Sequence, residues 1–560
     1  VGTTAGATGF VDVLQEVARS RATLVIALVV GSLGACGETA PPAPTPEDAG
    51  LDDAMPPRPP PPEVVTSLGI VRGARGNGHL RFLGIPYAAP PVGERRWRPP
   101  EEAAPWSGVR EATVKPSACA QEAAGFVSLG DEDCLYLNVH TPDPMPAAAP
   151  VLVWIHGGAF VFGEGLQLDG GTAGDVLARE HGLVVVSMNY RLGAFGFLAS
   201  DALGTTGNEG FLDQQAALRW VQREIAAFGG DPSRVTIAGE SAGGLSVCLH
   251  LISPGSRGLF RAAVTQSGLC GAPLPTRAEQ LDSAAELATA VGCEAAPDLP
   301  NCMRAVSTAR IKSAAALSGN LLEVLASGRR NHWPNVDEAV VPGQFLERVA
   351  AGQYARVPVI AGWNRDEGTL FVALAERAGT VVDEAEYVRM TDLIAARAGL
   401  DGIEVRAAYP LADHADPGAA LAAALGHQAL ACPSRRAALA LAGAGSPTRV
   451  YYFTYPDAGF QLGSDRPLGA FHSAEIQFVF GRPARLGMRA FEGDELTLHR
   501  AMSGYWARFV RSLDPGGEGA VPWPAFDATA ERHLRLDRVV AAGEAADRDA
   551  CAFWERAGVP

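Results

Sequence analysis

The stretch Arg234-Val235-Thr236-Ile237-Ala238-Gly239-Glu240-Ser241-Ala242-Gly243 decides how this chain is read. Its first five residues form an apolar run of the kind that makes a buried strand. From Ala242 to Ile252 the sequence turns helical. Between the two lies a Gly-x-Ser-x-Gly turn. A strand, a tight turn and a helix in this order raise a serine on a nucleophile elbow. The flanking glycines let the turn close without Cβ clashes and leave the Ser241 hydroxyl at a helix N-terminus. A Gly-x-Ser-x-Gly without that context would be only a glycine-rich turn.

Outward from the elbow, similar apolar runs recur at Val151–His156, Leu183–Asn189, Ala262–Gln266, Val357–Ala361 and Val450–Thr454. They are continuous rather than alternating, which predicts strands buried on both faces of a largely parallel sheet. Helical spacing separates them. Leu212 to Phe228 places Leu218, Val221 and Ile225 on one face, and Glu495 to Leu513 does the same with Leu498, Met502, Trp506, Phe509 and Leu513. Alternating strands and helices predict an α/β fold with a large, mostly parallel central sheet. The 560 residues are 47% hydrophobic and 19% charged, which suits a large core. A net charge of −16 offers nucleic-acid phosphates no basic footprint.

A serine nucleophile needs donors where negative charge develops. The N–H of Ala242, just after the serine, supplies one. A second set is expected from Val151-Leu152-Val153-Trp154-Ile155-His156-Gly157-Gly158-Ala159-Phe160, an apolar strand running into a His-Gly-Gly loop. With these motifs the chain resembles the type-B carboxylesterases, the branch of the α/β-hydrolases that contains the cholinesterases. The resemblance covers most of residues 65–555. It includes Phe82-Leu83-Gly84-Ile85-Pro86-Tyr87, Glu132-Asp133-Cys134-Leu135-Tyr136-Leu137-Asn138, Asn189-Tyr190-Arg191-Leu192-Gly193 and Phe228-Gly229-Gly230-Asp231-Pro232.

The resemblance implies oxyanion donors at Gly158, Ala159 and Ala242. Among eleven histidines it selects His472, in Gly469-Ala470-Phe471-His472-Ser473-Ala474-Glu475-Ile476, as the base. The acid lies in Gly362-Trp363-Asn364-Arg365-Asp366-Glu367-Gly368, where the residues alone leave Asp366 and Glu367 open. In the family the carboxylate before that glycine acts, which implies Glu367. Its task is to fix the histidine tautomer and stabilise the imidazolium. The resemblance also implies supporting roles for Glu240, Ser267 and Glu475, and structural ion pairs Arg96 with Glu132 and Arg191 with Asp213.

The N-terminal segment reads as an address. Arg19 and Arg21 precede an apolar run ending in Leu33-Gly34-Ala35-Cys36, which resembles a bacterial lipoprotein signal with Cys36 as the lipidated residue. Residues 37–62 are proline-rich and suit an extended tether. Residues 63–560 then form one hydrolase domain. Exported proteins keep disulfides. The family pattern implies Cys119–Cys134, Cys293–Cys302 and Cys432–Cys551, leaving Cys248 and Cys270 as buried free thiols. No HExxH or CxxC occurs, and neither metal nor cofactor is expected.

The expected partner is a small-molecule ester, with membrane contact only through the lipid. The sequence leaves oligomeric state open. Ala120 to Asp133 contains no tryptophan to hold a choline cation, which favours uncharged esters. Phe160, Trp333 and Phe371 are candidates to line the acyl pocket. The alternatives are a lipase for longer chains and a non-catalytic adhesion relative, the latter disfavoured by the complete set Ser241, Glu367 and His472.

Overall fold

The computed structural model describes residues 59–123, 127–166, 171–316, 321–328, 331–458, 466–483 and 490–556. The signal segment, Cys36 and nearly all of the tether therefore lie outside the described residues.

An eleven-stranded mixed sheet organises the chain. Its strands are β1 (Ala74–Arg75), β2 (His79–Pro86), β3 (Tyr136–Pro142), β4 (Ala149–Ile155), β5 (Val184–Met188), β6 (Gly230–Glu240), β7 (Ala262–Gln266), β8 (Val359–Asn364), β9 (Thr448–Phe453), β10 (His533–Leu536) and β11 (Ala541–Gly543). In space they run β11-β10-β9-β8-β7-β6-β4-β5-β3-β2-β1. From β10 to β5 every pairing is parallel. The edges β1-β2-β3 and β11 are antiparallel.

The continuous apolar runs have a direct explanation. In β4, Val151, Val153 and Ile155 enter the core on one face of the sheet, while Leu152 and Trp154 enter a second core on the other. In β5, Val184, Val186 and Met188 likewise divide from Val185. Period-two alternation therefore persists, but both faces are dry, so no polar residue marks it. The antiparallel edge strands were not anticipated; β2, with His79, Arg81 and Gly84 inside it, lacks a continuous apolar run.

Helices cover both faces. Among them are α1 (Glu209–Glu224), α2 (Ala242–Ile252), α3 (Cys432–Gly443), α4 (Gly493–Ser512) and α5 (Arg548–Arg556). The expected helix from Leu212 to Phe228 is α1 followed by a 3₁₀ turn over Ile225–Phe228. In α4, Leu498, Met502, Trp506 and Phe509 are buried as their spacing predicts, while Leu513 is only half-buried in the left-handed C-cap position. Every residue of α2 is buried, so this helix is a central support of the molecule rather than a surface covering.

Disulfides join Cys119–Cys134, Cys293–Cys302 and Cys432–Cys551. The reading of Cys248 and Cys270 as free thiols is corrected by a fourth, Cys248–Cys270. The parallel register pairs Glu240 with Gln266. From there α2 and the turn beyond β7 both fold back over the strand ends, and Cys248 Sγ and Cys270 Sγ lie 3.8 and 3.6 Å from the same Thr265 Oγ1. Eight residues past Glu240 and four past Gln266 thus arrive at the same level, with the two Cα atoms 6.0 Å apart. Arg96 and Glu132 (2.5 Å) and Arg191 and Asp213 (2.7 Å) form buried ion pairs.

Candidate active site

Neighbouring parallel strands deliver the site to one edge of the sheet. Ile155 ends β4, Glu240 ends β6, Gln266 ends β7 and Asn364 ends β8, and these four strands are adjacent. The residues that follow them are His156 to Phe160, Ser241, Ser267 and Glu367. Loops at the carboxyl ends of parallel strands are where open α/β sheets hold their ligands.

Ser241 occupies the turn with φ 57° and ψ −122°, a backbone that side chains other than glycine rarely adopt. Its N–H donates to Gln266 O (2.9 Å), which anchors the turn on β7. A Cβ on Gly243 would lie 2.0 Å from Ile155 O, so the second glycine of the motif is required by the approach of α2 to β4. Gly158, Ala159 and Phe160 also have positive φ values of 105°, 53° and 61°. The N–H groups of Gly158, Ala159 and Ala242 donate to no acceptor among the described residues.

His472 is brought to the elbow from the loop between β9 and α4. Its Nδ1 lies 2.6 Å from Glu367 Oε2. Glu367 Oε1 accepts from Ser267 Oγ (2.6 Å) and from Asn364 N (2.9 Å). That carboxylate is 1% exposed and fully supplied with donors. Asp366 instead accepts from Ala470 N (2.7 Å) and pairs with Arg365 (2.7 Å). It pins the histidine loop from outside and does not meet the imidazole.

The other edge of the ring faces the elbow. His472 Nε2 is 3.1 Å from Glu240 Oε1, next to the serine in sequence. The angle is not that of a hydrogen bond, because Glu240 Oε1 has no hydrogen-bond partner among the described residues. Burial, helped by Glu475 and Glu367, pushes the Glu240 carboxyl up to about 8 against the pull of His472. Burial opposes charge on His472, but Glu240 and Glu367 outweigh it and carry the imidazole up to about 9. Burial also raises Glu475.

Glu475 belongs to a network that the sequence marked only in part. It accepts from Gln266 Nε2 (2.9 Å) and Asn364 Nδ2 (2.6 Å), and Trp506 Nε1 in turn donates to Gln266 Oε1 (3.0 Å). Asn364 also reaches Phe471 O (2.8 Å), beside the histidine. Asn364 ends a strand inside the stretch Gly362–Gly368 and Gln266 ends the apolar run Ala262–Gln266, and those strand-end positions were the available signal for them. Trp506 had none beyond helical spacing. Of the three aromatics expected at the acyl pocket, Phe371 lies beside His472 with ring centroids 5.2 Å apart. Phe160 and Trp333 are packed edge to face at 5.3 Å and are buried.

Residues 60–554 match the carboxylesterase family. The chain is 35% identical over 532 residues to the acylcarnitine hydrolase of Mus musculus, covering 88% of this chain and 89% of that protein. It is 36% identical over 529 residues to the cocaine esterase of Homo sapiens, covering 88% and 90%. Among solved structures, PNB esterase matches with a TM-score of 0.75 at 30% identity, covering 88% of this chain and 99% of that one. The central sheet with its flanking helices is therefore an α/β-hydrolase fold. The chain belongs to the carboxylesterase family and is a carboxylic ester hydrolase.

Proposed function

We propose that the protein hydrolyses uncharged carboxylic esters through an acyl-enzyme on Ser241. The observation that carries this reading is the His472 ring, held at Nδ1 by Glu367 at 2.6 Å while its Nε2 edge faces the elbow. Nε2 takes the Ser241 proton as the oxygen attacks the ester carbonyl. The N–H groups of Gly158, Ala159 and Ala242 receive the developing oxyanion, and Glu367 stabilises the imidazolium. His472 then returns the proton to the leaving alcohol. Water repeats the sequence to free the acid and regenerate the serine.

The uncharged substrate class rests on the loop from Cys119 to Cys134, which carries no tryptophan for a cation to stack on. Lipidation at Cys36 and a tether over residues 37–62 would hold such an enzyme off a membrane surface. The four disulfides suit an exported protein. Among the described residues no helix is long and apolar enough to cross a membrane.

The test combines labelling with a rate series. An organophosphate is expected to modify Ser241, and Ser241→Ala is expected to lower kcat by about 10⁴-fold or more with the circular dichroism of the native fold retained. A label on another serine overturns the assignment. Nitrophenyl esters of rising acyl length should show kcat/KM highest for short chains; a maximum at long chains would make the enzyme a lipase.

A further inference from the structure

The Cys248–Cys270 disulfide joins two parts of the site that the sheet alone leaves separately anchored. Cys248 lies on α2, the helix that begins after Ser241. Cys270 lies three residues beyond Ser267, the hydroxyl donor to Glu367. We propose that this bridge is a positioning device for the catalytic acid: by tying the turn 267–270 to α2, it holds the Ser267 hydroxyl on Glu367 Oε1. The proposal rests on the Ser241–His472–Glu367 reading above.

The turn needs holding. Ser267 and Leu269 have φ values of 48° and 52°, and left-handed backbone costs a residue with a Cβ about 1 kcal/mol or more. Such conformations persist only where the surroundings over-determine them. Between the two, Gly268 is wedged between β7 and α2, where a Cβ would lie 2.2 Å from Thr265 Oγ1 of the strand and 2.8 Å from Gly244 C of the helix. One side of the turn is anchored to β8, where Ser267 N donates to Gly362 O (2.9 Å). The other side is anchored by the bridge, with Cys270 Sγ packed against Gly244 O, and one residue further on by Gly271 N, which donates to Pro433 O on α3 (3.1 Å).

Cutting the bridge leaves residues 268–270 held only through their flanks, at Ser267 N and Gly271 N, and lets the left-handed backbone between them relax toward negative φ. A change of backbone there also redirects the Ser267 side chain, because rotamer and backbone are coupled. Glu367 Oε1 would then keep only Asn364 N. A buried carboxylate short of one donor turns toward the remaining donors, and His472 loses its fixed orientation. Among the described residues, no other disulfide has a half on α2 or in the turn carrying Ser267.

The experiment compares Cys248→Ala/Cys270→Ala, Cys248→Val/Cys270→Ala, Ser267→Ala and their combinations, each normalised by active-site titration. The valine form restores most of the buried volume, which separates bridging from packing and gives a second route if the alanine pair does not fold. We expect kcat per titrated site to fall about tenfold when the bridge is removed, the scale of one hydrogen bond to a charged group, with KM little changed. Ser267→Ala should cost a similar factor, and adding it to either bridge variant should cost little more. The acid limb of the kcat profile should move in the same direction in both. The low-field proton signal of His472 Nδ1–H should also move in both, and that readout does not depend on turnover. The proposal is overturned if the bridge variants lose only thermal stability, with kcat and the proton signal unchanged, or if the two losses multiply. A wild-type protein that cleaves no ester would sink the esterase reading instead, and the proton signal would still decide the role of the bridge.

Discussion

Glu367 receives three donors on its two oxygens, whereas Asp366 spends its carboxylate on Ala470 N and Arg365. Glu367→Gln puts an amide against His472 Nδ1 and favours the tautomer that cannot take the serine proton. A loss in kcat of about 10³–10⁴-fold is expected, against about tenfold or less for Asp366→Asn, which keeps an acceptor for Ala470 N. Steady-state rates of the two variants check this, and equal losses would refute it. Glu240 supports a pH prediction. In the proposed mechanism His472 serves as a base only when neutral, so activity is expected to rise as pH climbs through its raised pKa. Glu240 is one of the groups raising it, so Glu240→Gln should move the acid limb of kcat/KM to lower pH. An unmoved limb would mean that Glu240 carries no charge felt by the imidazole.

The elbow works because three elements meet in one place. The β6–β4 pairing brings Gly239 opposite Ile155, and α2 then leaves Ser241 directly over the end of β4. The space at Gly243 is closed by a backbone carbonyl, not by a movable side chain. Gly243→Ala is therefore expected to cost about 3 kcal/mol of stability and to lower kcat as well, since α2 can withdraw from β4 only by shifting Ser241 and the Ala242 N–H with it. Urea denaturation and active-site titration measure the two effects. Full stability with full activity would show that α2 moves freely, contrary to its complete burial. At this scale the sequence was informative for the central strands and weak for the edges: β7 was read at its true bounds, while β2 and β3 carried no apolar run that stood out.

Over the whole molecule, several histidines are buried in the neutral form. Burial lowers His140 and His250 to about 3 and His156 and His332 to about 4. Unfolding restores them to the ordinary imidazole value, so below that value the unfolded chain binds more protons than the native one. Their contribution is intact above about 6.5 and is lost as pH falls through the folded-state values, at about 1.4 kcal/mol per pH unit for each histidine that titrates. His472, raised instead, gains its proton above this window. The buried carboxyls of Glu209, Glu240 and Glu475, all raised by burial, bind protons in the native state first. They offset part of the loss until the unfolded carboxyls protonate at about 4.5. Urea midpoints should fall as pH drops from 6.5 to 4, most steeply below about 4.5, where the buried carboxyls no longer offset the histidines. A flat profile from about pH 4.5 to pH 4 would show that these rings are hydrated.

Local patterns carried the α/β alternation, the strand–turn–helix around Ser241 and the glycine-rich loop after Ile155, because each depends on backbone conformations that neighbouring residues dictate. Similarity to a family, and not spacing, selected His472 from eleven histidines, since it comes from a loop far from the elbow in sequence. The choice between Glu367 and Asp366 became physical only in three dimensions, where one carboxylate meets Nδ1 and its neighbour a backbone amide. The same holds for Cys248 and Cys270. Nothing in their sequence spacing indicates a bridge, because their approach is set by the register of β6 against β7 and by the folding of α2 and the following turn back onto Thr265. Partners held by short-range geometry are written in the sequence, and partners brought together by strand order and register are decided by the tertiary fold.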